Sequence, residues 1–282
     1  MTEYLVYDVF TDTAFAGNPL AVIPDARGLP EDSLQRIARE FNFSETTFVY
    51  PPVDQANTAK VRIFTPTMEI PFAGHPTIGT AIALRDLGHQ GEMVLELGVG
   101  PIPCRFEGDK ALFTTHVPLE IAAEPEIELV ARCLGLSADA IETSTHLPVQ
   151  ASVGLHFTMV ELTDRAALSA CALAMGAIRE GKERYPTGLD FAIFAYVRNG
   201  TAVDARMFAP LDNIPEDPAT GSACAALAAL LHNRLGSPLH LDIRQGEDMG
   251  RLSLISASVD GDPVGITIGG QAVKTMSGVL TL

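Results

Sequence analysis

Basic residues are scarce in this chain. Lysine and arginine total 19 against 35 aspartates and glutamates, giving a formal charge of −16 and a sequence pI near 4.7. Such a surface repels phosphate backbones and anionic lipid, and there is no Lys/Arg cluster to offset it, so neither nucleic acid nor a membrane is an expected partner. The long-range field does not favour an anionic ligand either, so a carboxylate-bearing substrate needs local donors. Cysteine is equally thin. Cys104, Cys133, Cys171 and Cys224 are scattered and form no CxxC pair, which leaves a zinc site unsupported and points to free thiols in a reducing compartment. No apolar run reaches the length of a membrane span. The opening MTEYLVYDVF reads as a strand, without a basic stretch followed by a long apolar one. A cytoplasmic protein is expected.

What is present is a globular composition. Of 282 residues, 47% are apolar and 19% charged, enough for a substantial core and for one or two domains. The strongest organisational signal is internal similarity. Arg62-Ile-Phe-Thr-Pro-Thr-Met-Glu-Ile-Pro71 leads into Phe72-Ala-Gly-His-Pro-Thr77 and an alanine-rich run ending at Leu87-Gly88. Arg206-Met-Phe-Ala-Pro-Leu-Asp-Asn-Ile-Pro215 leads into Glu216-Asp-Pro-Ala-Thr-Gly-Ser-Ala223 and a run ending at Leu235-Gly236. A solenoid needs several shorter repeats. Two copies half a chain apart suggest a duplicated domain, the alternative being chance likeness of one motif.

Periodicity fills in the elements. Strands are expected at 3–10, 20–23, 46–50, 60–64, 93–97, 100–106 and 110–116, and helices at 31–41 and 76–87, with Pro76 early in the second and Gly88 just past its end. Pro118 and Pro125 mark a turn or crossing segment. The second half repeats the order, with helices at 126–134 and 222–235, strands at 152–161, 189–197, 202–208, 239–245 and 251–259, and a final strand pair through Leu282. Helices that follow runs of strands favour an α+β fold of two pseudo-symmetric domains, each a mixed or antiparallel sheet curled around a central helix.

Each motif loop delivers small residues and backbone N–H groups to the start of a helix, where unsatisfied donors and partial positive charge suit a carboxylate. If the halves are pseudo-symmetric, Gly74-His75 and Gly221-Ser222 are expected to line one pocket at the domain interface. Taken singly, each loop also reads as an ordinary cap or turn. Glu45 lies in Phe-Asn-Phe-Ser-Glu45-Thr-Thr-Phe-Val-Tyr, where apolar surroundings would suit a carboxyl that takes and returns protons. On strand alternation alone it reads instead as a solvent-facing residue. Asp217, before Pro218, could hold His75 in one tautomer, accept from a substrate amine, or only form a turn. His75 reads either as an acid/base partner or as a satisfied loop histidine, and Ser222 either as a donor to a carboxylate or as a helix cap. His89, His116, His146, His156, His232 and His240 lack ligand spacing and read as surface or packing residues. Met68 and Met207 read as core. A two-thiol racemase needs a cysteine at each loop. The first loop has none, and Cys224 lies two residues past Ser222, inside the helix, as a small buried residue.

Six segments in order carry a resemblance: Asp8-Val-Phe-Thr-Asp-Thr-Ala-Phe-Ala-Gly-Asn-Pro-Leu-Ala-Val22, Ser44-Glu45-Thr46-Thr47-Phe48-Val49, Arg62-Ile-Phe-Thr-Pro66, Phe72-Ala-Gly-His-Pro-Thr77, Glu216-Asp-Pro-Ala-Thr-Gly-Ser-Ala223 and Gln245-Gly-Glu-Asp-Met-Gly-Arg251. From end to end the chain resembles the phenazine biosynthesis PhzF family. The resemblance implies a diaminopimelate-epimerase-like fold with the active site between two domains, here 1–117, completed by about 271–282, and 118–270. It also implies an isomerase like trans-2,3-dihydro-3-hydroxyanthranilate isomerase, a homodimer without metal or cofactor. It places the acid/base carboxyl on Glu45, reversing the outward reading, with His75 and Asp217 as further catalytic residues and Gly74, Gly221 and Ser222 on the substrate. An epimerase or racemase on the same fold and a non-catalytic small-molecule binder are the rival readings.

Overall fold

Strand alternation and buried helices build this chain in two passes. A computed structural model describes residues 1–187, 189–261 and 264–281. Contacts divide the chain into unit 1, Met1–Thr114 together with the segment from Ile268 onward, and unit 2, Thr115–Thr267. Leu282, the end of the expected final strand, lies outside the described residues, as do Gly188, Asp262 and Pro263 of the expected 118–270 lobe.

Unit 1 runs β1 (Thr2–Val9), β2 (Asn18–Ile23), α1 (Glu31–Phe41), β3 (Glu45–Tyr50), β4 (Ala59–Phe64), β5 (Glu69–Ile70), α2 (Gly74–Asp86), β6 (Met93–Leu97), β7 (Gly100–Glu107) and β8 (Lys110–Thr115). Its sheet joins β1 to β2 antiparallel, β2 to β3 parallel, β3 to β4 antiparallel, β4 to β6 parallel and β6 to β7 antiparallel. Helix α1 is amphipathic. It buries Leu34, Ile37 and Ala38 against Ile23, Phe48 and Phe64 and ends on Asn42 in the left-handed region (φ 53°), whose N–H bonds the Ala38 carbonyl. Helix α2 has no solvent face over its first three turns. Every residue from Gly74 to Leu84 is buried, and β1, β2, β3 and β6 pack on it. Gly79 permits this close approach, since a Cβ there would lie 2.5 Å from Leu20 Cδ2 and 2.6 Å from Val9 Cγ2.

Unit 2 runs β9 (Glu120–Ala123), α3 (Ile127–Leu134), β10 (Val149–Ser152), β11 (His156–Glu161), α4 (Arg165–Ala170), α5 (Met175–Arg184), β12 (Ile193–Asn199), β13 (Ala202–Ala209), β14 (Ile214–Asp217), α6 (Gly221–Leu235), β15 (Leu239–Gln245) and β16 (Ser253–Asp260). Strand β17 (Gly265–Gly270) carries the chain out of unit 2, and β18 (Ala272–Leu280) pairs antiparallel with β1 of unit 1. Strand senses repeat those of unit 1. β10 and β11 are antiparallel, β11 and β12 parallel, β12 and β13 antiparallel, β13 and β15 parallel, β15 and β16 antiparallel. Helix α6, buried from Ala223 to Leu231, holds the place of α2.

The repeated Arg-x-Phe segment has a structural meaning. Arg62 on β4 stacks its guanidinium over Phe64 and grips Glu69 on β5 at 2.6–2.7 Å. Arg206 on β13 stacks over Phe208 and grips Glu216 on β14 at 2.8 Å through both nitrogens. In each unit the bidentate pair ties down the return strand that feeds the central helix.

Three expectations need correction. The strand expected at 152–161 is a hairpin, broken after Ser152 at Gly154 (φ 130°). The crossing segment after Pro118 contains β9, a short exposed strand with no alternation to betray it. Met68, expected in the core, is 59% exposed at the β4–β5 turn.

Candidate active site

In unit 1 the parallel register of β2 and β3 sets Leu20 opposite Glu45, and Asn18 opens β2. His75, second residue of α2, sits on the same helix face as Gly79 one turn on, so the close packing at Gly79 also brings the imidazole to the start of β2. His75 Nδ1 lies 2.8 Å from Glu45 Oε2, and Nε2 lies 3.2 Å from the backbone oxygen of Asn18. The side chains are 4% and 17% exposed respectively, so the histidine is enclosed while the carboxyl reaches the surface of the unit.

This geometry fixes the proton count. A backbone carbonyl only accepts, so Nε2 carries a hydrogen. Nδ1 and Oε2 then share a single proton, present either as a carboxylic acid donating to a neutral ring or as a carboxylate accepting from an imidazolium. Among the described residues Glu45 Oε1 takes no hydrogen bond, so it is the oxygen available to a substrate. The loop before Asn18 is tightly built. Asp8 accepts from Phe15 N at 2.6 Å, and Gly17 adopts φ 61°, where a Cβ would run into the Val9 carbonyl and Thr11. At the head of α2, the N-cap Ala73 offers no side-chain acceptor, so first-turn N–H groups at Gly74 and His75 remain suited to an anion.

In unit 2, Asp217 ends β14, Thr220 caps α6, and Gly221 and Ser222 are the first two helical residues. Asp217 is 6% exposed and accepts from Thr220 Oγ1 at 2.5 Å. Holding the His75 tautomer, one role open to Asp217 in the sequence, belongs to the Asn18 carbonyl, because both ring nitrogens are taken by Glu45 and Asn18. Ser222 is not the cap of α6: the N-cap position is Thr220, whose side chain makes no capping hydrogen bond. The pairing register offers a comparison. Thr46, which faces Phe64 of the Arg-x-Phe segment, corresponds to Ile193, which faces Phe208, so the apolar Ala192 stands in unit 2 where unit 1 has its carboxyl.

Burial pushes the thiols of Cys104 and Cys133 up to about 12 and that of Cys171 to about 11, and that of Cys224 is likewise raised, so all four stay protonated and unreactive. Among the described residues no three His, Cys, Asp or Glu side chains come together as a metal site, and no helix is long and apolar enough to cross a membrane. A surface hollow of about 580 Å³ lies beside Arg85, His89 and Arg105, near the far end of α2, about 15 Å along the helix axis from His75. There Arg85 bonds the Gly108 carbonyl and stacks on Phe106. Sequence reasoning missed Asn18, which acts through its backbone, and Gln245, whose partners lie some 25 residues upstream.

The phenazine biosynthesis-like protein family, PhzC-PhzF, matches residues 7–278. An "uncharacterized isomerase" from Mesorhizobium japonicum is 38% identical over 99% of this chain and 98% of its own. The trans-2,3-dihydro-3-hydroxyanthranilate isomerase of Pseudomonas chlororaphis is 34% identical over the full length of both chains. The crystal structure of a PhzF-family phenazine biosynthesis protein from Bacillus anthracis superposes with a TM-score of 0.87 at 24% identity, covering 99% of each chain, and shows the same fold. The chain therefore belongs to the phenazine biosynthesis-like PhzC-PhzF family, whose relatives named here include isomerases.

Proposed function

We propose that this protein is a PhzF-type isomerase that moves a proton between two carbons of a small carboxylate-bearing substrate, with Glu45 as acid and base and without a cofactor. Glu45 Oε1 takes the proton from a carbon acidified by an adjoining π-system or carbonyl, electrons pass into that system, and the same carboxyl returns the proton at a second carbon. The imidazolium of His75 sits beside the carboxylate in the first state, and the pair redistributes its shared proton as Oε1 becomes protonated. N–H groups at Gly74 and Gly221 and the Ser222 hydroxyl hold the substrate carboxylate and the developing negative charge, and Asp217 accepts from a substrate donor. The observation that carries the reading is the enclosed Glu45–His75 pair with one free carboxyl oxygen. It favours a single acid/base group over a matched pair of carboxyls, one per unit, since Ala192 stands at the corresponding place.

The test is turnover of trans-2,3-dihydro-3-hydroxyanthranilate by wild type and by Glu45→Gln. Positioned acid/base groups contribute roughly 100- to 10,000-fold, so kcat is expected to fall by at least about 100-fold while thermal stability and substrate affinity hold. Undiminished kcat in Glu45→Gln removes that residue from the mechanism.

A further inference from the structure

Gln245 is fully buried at the end of β15, and every polar atom of its side chain is used on the 217–220 turn. Its Nε2 donates to the Asp217 backbone oxygen at 2.8 Å and to Thr220 Oγ1 at 2.9 Å, while Oε1 accepts from Thr220 N at 3.1 Å. Because the Thr220 hydroxyl accepts from an amide, its own hydrogen is left for Asp217 Oδ2, 2.5 Å away. The chain of donors therefore runs one way, from Gln245 through Thr220 to the carboxylate. Gly246 makes the approach possible. It sits at φ 76°, and a Cβ there would lie 2.7 Å from the Pro218 carbonyl.

Unit 1 builds the corresponding turn without these groups. At the end of β6, Gly98 packs on Pro71 as Gly246 packs on Pro218, with a Cβ there 2.7 Å from Pro71 Cα. Yet the residue before that glycine is Leu97, and the N-cap of α2 is Ala73. The turn itself needs neither amide nor hydroxyl. Both polar groups occur together in the unit that has a buried acid at Asp217.

We infer that Gln245 is a positioning residue, acting through Thr220 to hold Asp217 in one orientation as an ionised hydrogen-bond acceptor. The inference rests on the reading of Asp217 as a residue of the substrate site. Charged and titratable neighbours on the elements packed there include the Arg206–Glu216 ion pair of β13 and β14 and the Cys224 thiol of α6, whose ionisation is opposed by burial and then by the charge of Asp217.

The experiment is a pH titration of the Asp217 side-chain ¹³Cγ resonance in the full-length protein, assigned by its loss in Asp217→Asn. Removing the donor in Thr220→Val is expected to raise the midpoint by about one pH unit or more, and Thr220→Ser to restore it. Gln245→Met is expected to move it the same way, with no further rise in the Thr220→Val/Gln245→Met double variant, because the two act in series. Thr220→Ala/Gln245→Leu, which copies unit 1, keeps the fold and shows the raised midpoint. An unmoved midpoint in Thr220→Val, a shift in Thr220→Ser as large as in Thr220→Val, or additive shifts in the double variant would overturn the inference. Full turnover of trans-2,3-dihydro-3-hydroxyanthranilate by Asp217→Asn, with these shifts intact, would instead overturn the role of Asp217 and leave the relay standing.

Discussion

His146 is buried in unit 2 with Nδ1 2.7 Å from the Leu147 carbonyl and Nε2 2.7 Å from the Tyr196 hydroxyl, which also reaches Glu161 at 3.3 Å. Desolvation is the largest influence on it and holds its pKa below the ordinary 6.5, outweighing the Leu147 carbonyl and Glu161, while Arg234 and Arg198 push the same way as burial. The sign follows. Unfolded chains take up the proton near 6.5 and the folded one resists it, so the contribution is whole above 6.5 and is lost as pH falls below that value. Between pH 7 and pH 5 the denaturation midpoint of wild type is expected to fall further than that of His146→Gln, and equal slopes would show that His146 is not the group responsible. At this scale the sequence was read unevenly. Residues with a chemical side chain at a motif, such as Glu45 and His75, could be singled out before any fold existed. Asn18 could not, because a backbone carbonyl is common to every residue and only the packing of α2 on β2 aims this one at an imidazole.

Elements differ in how their glycines are used, and the difference predicts opposite signs. Gly79 lies inside α2 with Val9 and Leu20 against it, whereas Gly176 in α5 has nothing within 4 Å of a Cβ. Alanine is the better helix former by up to ~1 kcal/mol, so Gly176→Ala is expected to stabilise by a few tenths to ~1 kcal/mol. In Gly79→Ala overpacking of ~1–3 kcal/mol wins, and kcat falls with stability because His75 is carried on the same face. Chemical denaturation of both variants checks this, and a stabilised Gly79→Ala would contradict it. Helices α1, α2 and α6 were legible because long periodic or alanine-rich runs end at Asn or Gly. Helix α4 spans six residues, and α5 buries little beyond Ala177, Ile178 and Gly181, so tertiary contact rather than pattern decides them.

For the molecule as a whole, duplication is legible twice, in the Arg-x-Phe segments and in strand senses that run alike through β1–β7 and β10–β16. The repeat signal in the sequence comes largely from a structural clamp, the arginine that grips its return strand, so likeness between halves marks shared construction. The groups proposed for the chemistry lie where they differ: Glu45 against Ala192, Ala73 and Leu97 against Thr220 and Gln245. A duplicated frame carrying unlike groups suits a proposal in which one carboxyl serves both ends of a proton shift. The direct measurement uses trans-2,3-dihydro-3-hydroxyanthranilate deuterated at the carbon that loses its proton, converted in ordinary water and sampled at the first turnovers. A single carboxyl predicts product that retains part of that deuterium at the newly protonated carbon. Product free of substrate deuterium from the first turnover would contradict it.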